Sequence, residues 1–264
     1  FGGHYAKALE NYHGYIARGM DDEEAIIEVV GELMIETWEY EEDETGEPIP
    51  RTGGPWLSDH NTKTRENLIR TVVWYLDQFG SDDTCHTVIL ASGEAAVEHS
   101  FQVDADNGIV LSGHIDRLVE YGNKVYVQDQ KTTGTTITGR FFDQFNPDTQ
   151  MSLYTFAGKI LFGNPVAGVM IDGAQIAVGF SRFERGFTFR DSGSLNEWYD
   201  EAMFYIETAR KATVEKFFPK NTSSCGNYGG CQFRHVCSKS PSVREQFLKA
   251  DFERAPRWDP LEAR

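Results

Sequence analysis

Near residue 87 the sequence changes its period. Before that point apolar side chains recur at helical spacing; after it, residues 88–91, 96–103, 108–119 and 124–130 are rich in Val, Ile, Leu, Phe and Tyr, the side chains that fit a pleated, half-buried surface. Asn107-Gly108 and Gly122-Asn123 stand where tight turns are needed, because both residue types tolerate the positive φ that matches strand twist. The pattern predicts an antiparallel meander.

Helices are expected around it. Ala8, Leu9, Tyr12, Tyr15 and Ile16 define an apolar stripe over 5–18, and Ile26, Ile27, Val30, Leu33, Met34 and Trp38 define a second one after Asp21-Asp22. Residues 42–61, with Gly46, Pro48, Pro50, Gly53, Gly54 and Pro55, read as a loop, and a third helix spans 62–79. Beyond the meander, Pro147 opens a helix to about 161, strands follow at 166–176 and 178–188, and a long helix covers 194–217. No repeat or low-complexity segment is visible. The reading is one α/β domain over 1–264: a helical portion (1–80), an α/β core (86–217) and a cysteine-bearing tail (218–264).

With 264 residues the chain can bury a full core. No apolar run approaches the roughly 18 to 20 residues that cross a bilayer, so a soluble protein without membrane partners is expected. The opening Phe1-Gly-Gly-His4 lacks the basic and apolar regions of a secretory signal and reads as a truncated or processed start. A cytoplasmic setting follows, and Asn221-Thr-Ser is set aside as a glycosylation site. Net charge is −16, which would oppose a nucleic-acid partner if it were uniform. It is concentrated: from Asp21 to Glu47 every charged side chain is acidic. That segment, 21–47, is a solvated helix face running into a loop, or a surface for a protein partner.

The chemistry concentrates in Gly113-His-Ile-Asp116 and, after the Gly122-Asn123 turn, Asp129-Gln-Lys131. Side chains alternate along a strand, so Asp129 and Lys131 project together, with Asp116 supplied by the neighbouring strand. Phosphodiester hydrolysis needs hard oxygen ligands for Mg²⁺ or Mn²⁺ and a source of hydroxide. Asp116, Asp129 and the carbonyl of Gln130 can provide the ligands, and Lys131 can orient water and stabilise developing charge. A lone D-x-K on a strand edge is usually a surface ion pair; here it completes a longer block.

That block, G-x-I-D, a turn, alternating apolar residues, D-x-K and Thr132-Thr133, resembles the core motifs of RecB-like nucleases of the PD-(D/E)xK superfamily, including bacteriophage and CRISPR-associated exonucleases. The resemblance extends from Phe1 to about Cys237. It implies a restriction-endonuclease-like core, a mixed β-sheet flanked by helices, and a metal-dependent DNA exonuclease in a bacterial or phage-infected cell. Gly2-Gly-His4 resembles the family's helix opening, whose His is a metal ligand. Gln150-Met-Ser-Leu-Tyr154 matches its Q-x-x-x-Y motif, implying contact of Gln150 and Tyr154 with DNA, and Glu98 lies where an acidic residue assists metal binding. His99 and His114 read as structural or solvent-facing.

Three of the four cysteines, Cys225, Cys231 and Cys237, form a C-x5-C-x5-C run, where the family holds a [4Fe-4S] cluster with one upstream cysteine. The x5 spacing and the missing upstream cysteine depart from the family. An absent N-terminal segment, Cys85, or His235 in a zinc site could complete the set, or the site is unoccupied. Asp104-Ala-Asp106-Asn107-Gly108 echoes a calcium loop, but its glycine comes one position early and a hairpin turn accounts for it. Arg140, Arg182, Arg185, Arg190, Arg210, Lys211, Lys216 and Lys220 are the candidate phosphate contacts. RNA cleavage shares the same chemistry, and a silent nuclease-fold subunit that binds DNA or a partner protein is the competing class.

Overall fold

The computed structural model describes residues 1–45, 48–49, 52–80, 84–162 and 166–256. The chain divides into two compact units, Phe1–Trp198 and Tyr199–Arg264. Gly46, Glu47 and Pro50, from the expected loop and acidic segment, lie outside the described residues.

In the first unit α1 (Gly2–Ala17) is followed by α2 (Asp22–Glu36). Asp21 caps α2 by accepting the Glu23 N–H, and Asp22, Glu23 and Glu24 fill the first turn, where the helix dipole favours negative charge. The expected loop hides a two-residue ladder, β1 (Trp38–Glu39) with β2 (Gly54–Pro55). It forms because Gly53 adopts φ 76° against Glu39, where a Cβ would lie 1.8 Å from the Glu39 carbonyl oxygen; periodicity cannot reveal so short a pairing. Next comes α3 (Arg65–Phe79), capped by Thr64.

The six-stranded sheet contains β3 (Cys85–Thr87), β4 (Val97–Asp104), β5 (Val110–Tyr121), β6 (Lys124–Thr133), β7 (Val166–Ala177) and β8 (Phe180–Thr188). β5, β6, β7 and β8 lie side by side in that order, while β3 and β4 share the outer edge of β5. The simple meander is therefore corrected: β3 pairs with Val119–Tyr121 and β4 with Val110–Arg117, because β5 is long enough to take two short partners end to end. The expected strand 88–91 also shifts, to Cys85–Thr87. The Gly122-Asn123 turn forms as read, whereas Asn107 and Gly108 lie in a 3-10 turn, Asp106–Gly108, within a longer connection between β4 and β5; all four residues have positive φ near 60°.

β6 and β7 are parallel, and a parallel pair needs a crossover. It is supplied by α4 (Gly139–Asp143) and α5 (Thr149–Leu161). Pro147 does not open that helix; Asp148 caps it by accepting the Met151 N–H. Tyr5, Leu9, Leu33, Val72 and Tyr75 pack against Ala174, Ile176 and Phe183 in one core, and Phe101, Ile115, Val127, Met151, Ala157 and Ile171 form another with α5. Helices thus cover both faces of a mixed sheet.

α6 (Ser192–Glu215) crosses the unit boundary, and the second unit adds α7 (Arg234–Cys237) and α8 (Arg244–Asp251). Among the described residues no helix is long and apolar enough to cross a membrane.

Candidate active site

The β5–β6 ladder runs from Tyr121 opposite Lys124 to Arg117 opposite Gln128, and there it ends. Two residues on, the backbone N–H of Gln130 is taken by the Asp116 carboxylate, with Oδ2 at 2.9 Å. The carboxylate therefore lies against the β6 backbone, where the two strands part.

Asp129 is only 1% exposed, and its Oδ2 stands 2.6 Å from the Lys131 ammonium. Burial raises the Asp129 pKa, Lys131 lowers it, the charges of Asp116 and Asp148 raise it again, and the result is pushed up to about 7. Asp116 and Asp129 bring two interacting negative charges against one ammonium, an arrangement that suits a further cation.

Lys131 Nζ donates to Gln150 Oε1 at 3.2 Å, and Gln150 Nε2 donates to the Tyr154 hydroxyl at 3.0 Å. The four-residue step from Gln150 to Tyr154 along α5 makes the second link possible. Tyr154 is 7% exposed and packs edge-on to Phe101, so its ring is a core element and not a DNA-facing surface.

Glu98 sits between the pairs Val97–Arg117 and His99–Ile115, opposite Asp116, at φ 44°. A non-glycine residue held there costs about 1–3 kcal/mol, a cost concentrated at functional sites. Glu98 and Asp116 line one recess with Ala6, Leu9, Glu10 and His13 of α1 and with Gln130. The histidine brought to this recess is thus His13, which sequence reading passed over. Burial and the Arg117 charge hold it well below the usual histidine range, and Arg117 Nη1 lies 2.6 Å from its Nε2. His4 instead faces Glu36 (Nδ1 to Oε2, 3.7 Å) and the Trp56 ring.

Other expectations need correcting. Arg190 is buried, donating to Ser152, Asn146, Thr188 and the carbonyls of Phe145 and Phe189; Arg185 is ion-paired with Asp172 beneath Phe79. Neither is a phosphate contact. Arg182 pairs with Glu184, Arg210 with Glu207, and Lys220 donates to the Cys237 carbonyl, whereas Arg140 is exposed on α4. Two residues of the acidic segment serve α1: Asp22 accepts from Tyr12, and Glu32 from Asn11 and Tyr15.

Among the described residues no three His, Cys, Asp or Glu side chains gather closely enough to hold a metal. Cys225, Cys231 and Cys237 are free thiols, and His235 turns to Asp251 (3.0 Å) and stacks on Phe252. Cys85 is buried beside Val119, Tyr126 and Met170. The cysteine arrangement does not fit a cluster or zinc. The carboxylate pair does fit a hard divalent ion, because Mg²⁺ is commonly held by one or two carboxylates and completes its shell with water and phosphate oxygens.

Helices on both faces of a mixed sheet, with a D…D-x-K set where two strands separate, make up a restriction-endonuclease-like core. Residues 3–238 match the PD-(D/E)XK nuclease superfamily, and the chain belongs to that superfamily. No curated protein matches the sequence. Among solved structures, the crystal structure of SSO0001 is similar over 66% of this chain and 76% of that one, at 13% identity and a TM-score of 0.32, too slight a likeness to bear on fold or function.

Proposed function

We propose that this chain is a divalent-metal-dependent deoxyribonuclease of the RecB-like kind, acting from DNA ends. The observation that carries the reading is Asp129: buried, pushed up to about 7, and held between the Asp116 carboxylate and the Lys131 ammonium. Asp116, Asp129 and the Gln130 carbonyl would hold Mg²⁺ or Mn²⁺. When bound, the ion supplies Lewis acidity at the phosphate and acidifies water.

Lys131, steadied by Gln150, orients the attacking water and offsets charge developing on the phosphate. Glu98 adds a second carboxylate beside Asp116. Arg140 and the mouth of the Gln150 helix guide DNA. The resemblance favours exonuclease action in replication, recombination, repair or defence within a bacterial or phage-infected cytoplasm, with the acidic segment 21–47 as a protein-contact face. The cysteine tail is assigned no cofactor.

A nuclease-fold subunit that binds without cutting is favoured by one observation, the turning of His4 toward Glu36. End-labelled single- and double-stranded DNA incubated with Mg²⁺ or Mn²⁺ separates the readings. Wild type is expected to cut, and Asp129→Ala and Lys131→Ala to lose activity by on the order of a hundredfold or more. Equal activity in all three removes the assignment, and an inert wild type that still binds DNA selects the silent subunit.

A further inference from the structure

Beneath β6, on the side away from Asp129 and Lys131, lies a buried polar cluster that the proposed chemistry does not use. Its centre is Asp172 on β7, 1% exposed and in register with Gln130. Asp172 Oδ2 accepts from Gln128 Nε2 at 2.6 Å, from the Tyr75 hydroxyl at 2.5 Å and from Arg185 Nε at 3.2 Å. The Tyr75 hydroxyl in turn accepts from Gln130 Nε2 at 3.4 Å.

Gln128 and Gln130 are the two residues on either side of Asp129. Gln128 Oε1 also accepts from Arg117 Nη1 at 3.2 Å, and Arg117 follows Asp116 directly. Arg117 is itself anchored by Nε to Thr87 Oγ1 at 2.9 Å and by Nη2 to the Cys85 carbonyl at 3.1 Å. One buried carboxylate therefore holds, through its donors, the backbone neighbours of both candidate metal-binding aspartates.

We infer that Asp172 is a positioning residue for the metal site, aiming Asp129 and the Gln130 carbonyl by clamping Gln128 directly and Gln130 through Tyr75. A strand held at both flanking side chains cannot twist about its own axis, so the side chain between them keeps a single direction. Outer-shell groups of this kind commonly govern metal affinity.

Stability alone does not account for the cluster. Asp172 Oδ1 and Gln130 Oε1 are buried with no hydrogen-bond partner, and well-packed apolar side chains fill such an interior at equal or lower cost. The cluster's polarity has a use only if the direction of β6 matters.

The inference rests on the nuclease reading and is tested by Mn²⁺ binding to the full chain at pH 8, followed by electron paramagnetic resonance, with thermal melts and DNA binding in Ca²⁺ alongside. Asp172→Asn is expected to weaken Mn²⁺ by roughly tenfold or more, to recover most of kcat at saturating Mn²⁺, and to leave DNA affinity within about twofold. Tyr75→Phe deletes one hydroxyl and is expected to weaken Mn²⁺ by about threefold, so it carries the test if Asp172→Asn does not fold. Unchanged Mn²⁺ affinity in folded variants overturns the inference alone. A wild type that takes up no Mn²⁺ overturns both the inference and the nuclease reading.

Discussion

The Asp116 carboxylate accepts the Gln130 amide at 2.9 Å, at the point where the backbone ladder between their strands stops. One oxygen is committed to the strand, which fixes the acidic residue against the β6 backbone. Asp116→Asn keeps an acceptor but removes the charge. It is expected to shift stability by no more than about 1 kcal/mol and to lower cleavage by on the order of a hundredfold. Thermal melts and single-turnover cleavage check the two halves separately.

Asp129 gives the metal-free protein a defined pH response. Its folded pKa, about 7, lies above the usual 3.8. Between those values the folded state keeps a proton that the unfolded state has lost, so this contribution to stability falls as pH rises through the window and levels off above it. Asp129→Asn removes the slope and, in EDTA at pH 8, is expected to melt higher than wild type, by up to a few kcal/mol. Because ion and proton compete, apparent Mn²⁺ affinity should tighten about tenfold per pH unit below 7 and flatten beyond it. Calorimetric titrations between pH 5.5 and 8.5 would show this, and a flat profile would refute it.

The helical and strand periods around Asp116 and Asp129 were readable because one face of each element is apolar and the turn residues allow positive φ. The D…D-x-K set and the Gln150–Tyr154 spacing were also legible as pattern. What periodicity could not convey was long-range pairing: β3 beside β5, the β1–β2 ladder, and His13 rather than His4 at the Asp116 recess. Arg185 and Arg190 were misread for the same reason. A guanidinium on a strand or loop looks alike in sequence whether it meets water or a ring of carbonyls.

The Lys131 ammonium is held by both Gln150 Oε1 at 3.2 Å and Asp129 Oδ2 at 2.6 Å. Gln150→Ala should leave the DNA KM near wild type and lower kcat by roughly tenfold, the effect of losing about 1.4 kcal/mol of orientation. Tyr154→Phe, which removes the hydroxyl that accepts from Gln150, should fall between Gln150→Ala and wild type. Steady-state kinetics at saturating metal separates kcat from KM, and a change confined to KM would reassign Gln150 to DNA binding.

The two arginines Arg140 and Arg190 should behave oppositely. Removing the buried Arg190 strands several carbonyl and hydroxyl acceptors, so Arg190→Ala is expected to cost about 3–5 kcal/mol of stability. Arg140→Ala should leave the melt unchanged and reduce the salt dependence of DNA binding by about one unit of slope. Filter binding across a salt series, paired with denaturant melts, compares them directly.

β6 is bonded along both edges from Val125 to Gln128, antiparallel to β5 and parallel to β7, and from Asp129 to Thr133 its ladder is with β7. Amide protons in such a doubly flanked strand exchange with solvent mainly when the surrounding unit unfolds as a whole. The residue at the centre of the proposed chemistry thus stands one step past the stiff, doubly flanked part of β6, where the strand is held by β7 and by the Asp116 carboxylate on the Gln130 amide.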